Sequence, residues 1–109
     1  MTELSIDAGI CGFVTTVRTE SPDGGMTVTI DFDTTCPHVE KARAVLTTVD
    51  PMVELFRKPH ETAVYAALSP RIPHVACPVY AGFLKAIEAA AGMALPKDAS
   101  IRFAARSTQ

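Results

Sequence analysis

Residues 26–33 alternate without a break, with Met26, Val28, Ile30 and Phe32 on one side and Thr27, Thr29, Asp31 and Asp33 on the other. Strict period two marks a strand with one face buried and one face wet, and such a strand needs a partner. The stretch just before it, Ser21-Pro22-Asp23-Gly24-Gly25, is turn chemistry, since proline presets φ and glycine accepts φ > 0. The Val- and Thr-rich residues 13–20 lie on the far side of that turn and read as the partner strand. A hairpin is therefore the first fixed point. Residues 3–7, with Leu4 and Ile6 on one face, add another strand across the glycine-flanked bend Ala8-Gly9-Ile10-Cys11-Gly12.

After the hairpin the period changes. Cys36-Pro37 opens a predicted helix with Val39, Ala42, Leu46 and Val49 at helical spacing. Asp50-Pro51 restarts it, since Asp caps and Pro suits the first helical position. Residues 61–68 read as a further short helix, and the prolines at 70 and 73 make 69–74 an extended loop. Cys77-Pro78 opens the longest helix, whose apolar stripe is Tyr80, Phe83, Leu84, Ile87, Ala90 and Ala91, with Gly92 suited to its end. Ile101 and Phe103 alternate again, which predicts a last strand over 99–104. The expected architecture is one α+β domain over 1–109. In it a small antiparallel sheet, three N-terminal strands plus a C-terminal strand, packs against helices.

Composition excludes several function classes. With 48% hydrophobic residues the chain can bury a core, so disorder is not expected. Lys and Arg total 10 against 12 Asp and Glu, a net charge of −2, which argues against a nucleic-acid grip. No apolar run approaches the ~20 residues that span a bilayer, so no membrane partner is expected. The first residues have neither a basic nor an apolar leader region, and a cytoplasmic location is the expectation.

The cysteines carry the functional argument. Cys11, Cys36 and Cys77 are an odd set, and a reducing compartment disfavours disulfides. They are packed inert thiols, metal ligands or reactive thiolates. If the hairpin turn is centred near Asp23, residues paired across it have numbers summing to about 46. Cys11 then lies opposite residue 35, beside Cys36, on strands ~4.8 Å apart. Cys36 and Cys77 each precede a proline that opens a predicted helix, and a helix start favours a thiolate.

This order of elements resembles the iron–sulfur assembly scaffolds, IscU and the N-terminal domain of NifU, over about residues 3–92. Ile10-Cys11-Gly12 is similar to their first cysteine motif, with Phe13 in place of the following Asp. Thr35-Cys36 falls where the second cysteine closes the hairpin, and Pro73-His74-Val75-Ala76-Cys77 resembles the loop that runs into the third. Ala76 stands where the scaffolds have histidine. Ala-Gly-Ile-Cys-Gly-Phe and Ala-Cys-Pro-Val also resemble a small prokaryotic three-cysteine family. The resemblance implies a SufE/NifU-like fold and a protein partner for sulfur or metal transfer.

The leading expectation is a Zn or Fe–S cluster site built by Cys11, Cys36 and Cys77, with His74 as the fourth ligand and His38 as the next candidate. His60 is assigned no role. A second reading is metal-free thiol chemistry, accepting sulfur as a persulfide or sensing oxidants. A third is an interaction domain whose cysteines only pack. Asp31 and Asp33 belong to the wet strand face, with Asp33 able to approach the cysteine end. Arg71 is a candidate contact for an acidic partner. A homodimer that completes the site remains open.

Overall fold

A computed structural model describes residues 1–105. Strands β1 (Thr2–Asp7), β2 (Val14–Glu20) and β3 (Val28–Thr34) form an antiparallel sheet with a short fourth strand, β4 (Thr48–Val49), in the order β1-β2-β3-β4. The helices are α1 (Pro37–Glu40), α2 (Pro51–Glu54), α3 (Ala63–Leu68) and α4 (Val79–Ala90), with a 3-10 turn at Pro59–Glu61. Sheet and helices make a small α+β fold. Among the described residues no helix is long and apolar enough to cross a membrane.

The alternation read from β3 is the one that folds: Val28, Ile30 and Phe32 are buried, while Thr29, Asp31 and Asp33 are exposed. Met26 lies outside the strand and is exposed. β2 turns Thr15, Val17 and Thr19 inward, and Thr19 Oγ1 donates to the carbonyl of Ala86 at 2.7 Å, tying β2 to α4. Phe32 meets Phe83 edge to face with ring centroids 5.2 Å apart, a geometry worth about 0.5–1.5 kcal/mol beyond its buried area. α4 comes so close to the sheet that a methyl on Gly82 would overlap the Ile6 side chain. On the wet face Arg18 bridges Asp31 and Asp33, each at 2.8 Å, and reaches Glu3 at 3.9 Å. That pairing holds the Asp31 carboxyl below its usual range.

Three expectations are corrected. The predicted helix over 37–49 stops at Glu40, and the chain passes through turns into β4. Val39, Ala42, Leu46 and Val49 are all buried as their spacing implied, but the β-branched run Thr47-Thr48-Val49 finds the free edge of β3, pairing Val28 with Val49. The predicted C-terminal strand over 99–104 is not a strand: Ile101 and Phe103 are 89% and 95% exposed. No strand of the sheet pairs with it, and a lone extended segment cannot hold itself together. The hairpin register also differs. β2 and β3 pair Thr15 with Thr34 and Glu20 with Thr29, which centres the turn between Gly24 and Gly25 rather than at Asp23. Asp23 is the reason, since its carboxylate accepts from the amides of Met26 and Thr27 at 3.1 and 2.8 Å and so builds a wider loop.

One carboxylate organises the helical side. Glu54 is 3% exposed, and its two oxygens accept from the amides of Ala63 and Val64 at 2.7 and 2.9 Å, the first turn of α3. Thr62 caps the same helix through the Tyr65 amide at 3.2 Å.

Two substitutions test this packing. Glu54→Ala leaves buried amides unpaired and is expected to cost about 1–3 kcal/mol, read as a lower urea midpoint. Gly82→Ala improves helix propensity by about 1 kcal/mol but overpacks against Ile6 at a cost of about 1–3 kcal/mol. A net loss of stability is expected, and a stabilised variant would refute the close seating of α4.

Candidate functional site

The three cysteines come from three separate connections. Cys11 sits in the turn between β1 and β2, bracketed by Gly9 at φ 92° and Gly12 at φ 74°, where the Gly12 amide donates to the Gly9 carbonyl at 2.9 Å. A side chain at either glycine would strain the turn. Cys36 lies at the junction of β3 and α1. Its amide donates to Thr34 Oγ1 at 3.1 Å, and Thr34 shares a 2.7 Å hydroxyl–hydroxyl bond with Thr15. Thr35 Oγ1 in turn accepts from the Val14 amide at 2.9 Å, so both threonines before Cys36 lock the end of the hairpin. Cys77 ends the loop before α4, and its amide donates to the carbonyl of His74 at 3.3 Å.

These connections meet at one end of the sheet. A cavity of about 70 Å³ is lined by Cys11, Cys36 and Cys77 together with His38 and His74. Its other walls are mostly apolar, among them Ile6, Phe13, Val39, Ile72 and Val79, with buried Thr15 as a polar exception. The β2–β3 register, continued outward, carries Cys11 past Cys36 towards His38, so the slip from the expected register leaves the thiols at the same end. Cys11 is exposed, whereas Cys36 and Cys77 are half-buried. Ile10 and Val75, on the turns that carry Cys11 and precede Cys77, project almost wholly into solvent.

At Cys77 the electrostatics differ from the expectation of a helix-activated thiolate. Cys36 is the N-cap of α1 but makes no side-chain cap bond, and α1 has only four residues. Cys77 falls one position short, because Pro78 is the N-cap of α4. Burial pushes the Cys77 thiol upward, with Cys36 and Cys11 adding to the rise, while the amide of Val79 pulls it down. The apolar walls disfavour the charged thiolate and outweigh the helix start.

As a ligand set, three thiols and two imidazoles are the donor types of Zn²⁺ and of Fe–S clusters. Their arrangement is not a closed one: among the described residues no three His, Cys, Asp or Glu side chains stand close enough together to hold a metal ion. His60 is exposed on the 3-10 turn, apart from the cavity lining. Asp33 is held by Arg18 on the wet face and Arg71 donates to the Ala67 carbonyl at 2.7 Å, so neither lines the cavity. The cavity walls and the threonine relay were not foreseen from sequence. The only signal was Thr34-Thr35 directly before Cys36, residues that readily bond the backbone two positions on.

The raised Cys77 thiol gives a pH test. Thiols of the unfolded chain titrate near ~8.5, so as pH rises the unfolded state loses this proton first. Stability from Cys77 is complete below that range and is lost as pH climbs through the higher folded value. Metal-free protein is expected to show a falling urea midpoint across this alkaline window, with the fall smaller in Cys77→Ala. Equal alkaline slopes for the two proteins would contradict the burial argument.

Comparison with known proteins adds one finding. No curated protein and no solved structure matches the chain. A family model matches residues 2–103, which takes in all three cysteines and every strand and helix described above. The chain therefore belongs to the family described as "Family of unknown function (DUF6951)".

Proposed function

We propose that the chain binds a soft metal ion or an iron–sulfur cluster through Cys11, Cys36 and Cys77, with His74 or His38 completing the set. The observation that carries this reading is the convergence of all three cysteines and two of the three histidines on one cavity. A chain that used cysteine only as a small hydrophobe would have no reason to bring its thiols together from three connections. Cys77 itself fits a metal-free nucleophile poorly, since burial holds its thiol towards the protonated form. A bound cation reverses that preference, because a coordinating thiol is deprotonated outright. In this reading the apolar walls keep water from the donors, the Thr15–Thr34 relay holds Cys36 in place, and Cys11 closes the set from its turn. A soluble location and a role in iron–sulfur or metal handling, with a protein partner that delivers or receives sulfur or metal, belong to the same proposal.

Metal and acid-labile sulfide per chain, measured in protein purified without oxygen, test it. About one site per chain is expected, with iron and sulfide together marking a cluster and zinc alone a mononuclear site. Each of Cys11→Ser, Cys36→Ser and Cys77→Ser should lower occupancy at least several-fold, and His60→Ala should not. Metal-free protein that stays metal-free on anaerobic reconstitution with Zn²⁺ or with iron and sulfide overturns the reading. Alkylation rates then become the next measurement, since fast reaction at the exposed Cys11 would favour persulfide or oxidant chemistry.

A further inference from the structure

The sheet has one long edge that no strand among the described residues occupies. β1 neighbours only β2, and at six residues it offers a full row of backbone donors and acceptors on its free side. The opposite edge is β4, only two residues long. β1 behaves as a strand missing a neighbour. Leu4 points to the core side yet is only partly covered, while Glu3 and Asp7 stand exposed on the wet side. Bare strand edges of this length are normally shortened, charged or covered.

The same chain carries a strand pattern with no sheet to join. Over 99–104, Ile101 and Phe103 alternate with Ser100, Arg102 and Ala104. The segment makes no backbone hydrogen bond to any described residue, and both apolar side chains are about nine-tenths exposed, at 89% and 95%. It is not an appended tail, because the family match extends to residue 103.

We propose that residues 99–104 of one copy add to the free edge of β1 in a second copy, and that the exchange is mutual. Each chain has one long open edge, β1, and one unplaced strand, so a two-fold pair satisfies both and closes. Ile101 and Phe103 then lie on the side of Leu4 and Ile6, covering the partly exposed Leu4. Arg102 falls on the side of Glu3 and Asp7. Charge favours that placement. The wet faces of β1, β2 and β3 carry the carboxylates of Glu3, Asp7, Glu20, Asp31 and Asp33 around a single guanidinium, Arg18, which Glu3, Asp31 and Asp33 already share. Arg102 pairs with no carboxylate among the described residues and adds a second cation to an edge where Glu3 holds only a 3.9 Å share of Arg18 and Asp7 has no ion pair.

The test is light scattering coupled to size exclusion on the full chain, from micromolar to near-millimolar concentration, with and without chelator. A mass twice the 11.6 kDa of the chain is expected, unchanged by the chelator and so independent of any metal. The double variant Ile101→Asp/Phe103→Asp should run as a monomer that keeps its helical far-UV circular dichroism and a cooperative urea transition, as should a chain ending at residue 98. Arg102→Glu should weaken association by about tenfold. Wild-type protein that is monomeric at every concentration overturns the proposal, including the case in which 99–104 is protected from hydrogen exchange on its own sheet. A dimer that survives both the double variant and the truncation overturns it as well, since its interface lies elsewhere.

Discussion

The seating of α4 against the sheet is the contact on which the rest of the molecule depends. Thr19 ties β2 to the Ala86 carbonyl, Phe32 meets Phe83, and the absent side chain of Gly82 lets the helix press against Ile6. The loop before this helix carries His74 and Cys77, so the docking of α4 also decides where the third thiol arrives. Ile6 belongs to both systems, packing beneath Gly82 and lining the cysteine cavity. A disturbance of the core there reaches the site through one side chain.

Much of this was legible in the sequence, and the misses have physical causes. The hairpin, β1 and α4 follow from periodicity, because each buries one face against the same core. β4 was invisible because two residues carry no periodicity, and its pairing depends on an edge that only the folded β3 provides. Residues 99–104 show the opposite case, a clear alternation that the single chain leaves unpaired. The hairpin register was misplaced because Asp23 bonds two amides on its far side and enlarges the loop.

At the site, the meeting of Cys11 and Cys36 could be read from strand order alone, and it tolerated the error in register. The approach of Cys77 could not, since it rests on how α4 docks. The character of Cys77 was misread for a related reason. The Cys-Pro step places the thiol at or near the helix start, but Pro78 is the N-cap and leaves the thiol among apolar walls. Electrostatics of this kind depend on what surrounds a group from all sides, and a linear pattern records only its neighbours along the chain.

Arg18 has a consequence for how the sheet finds its alignment. It sits on the central one of the three long strands and reaches acidic side chains on both flanking ones, Glu3 on β1 and Asp31 and Asp33 on β3. A shift of either flanking strand by one residue would turn its carboxylates to the opposite face, away from the guanidinium and into the apolar layer. The wet surface thus works as a lock from outside while Val17, Val28 and Phe32 select the same alignment from within. Misaligned sheets are penalised twice, once on each face of the hairpin.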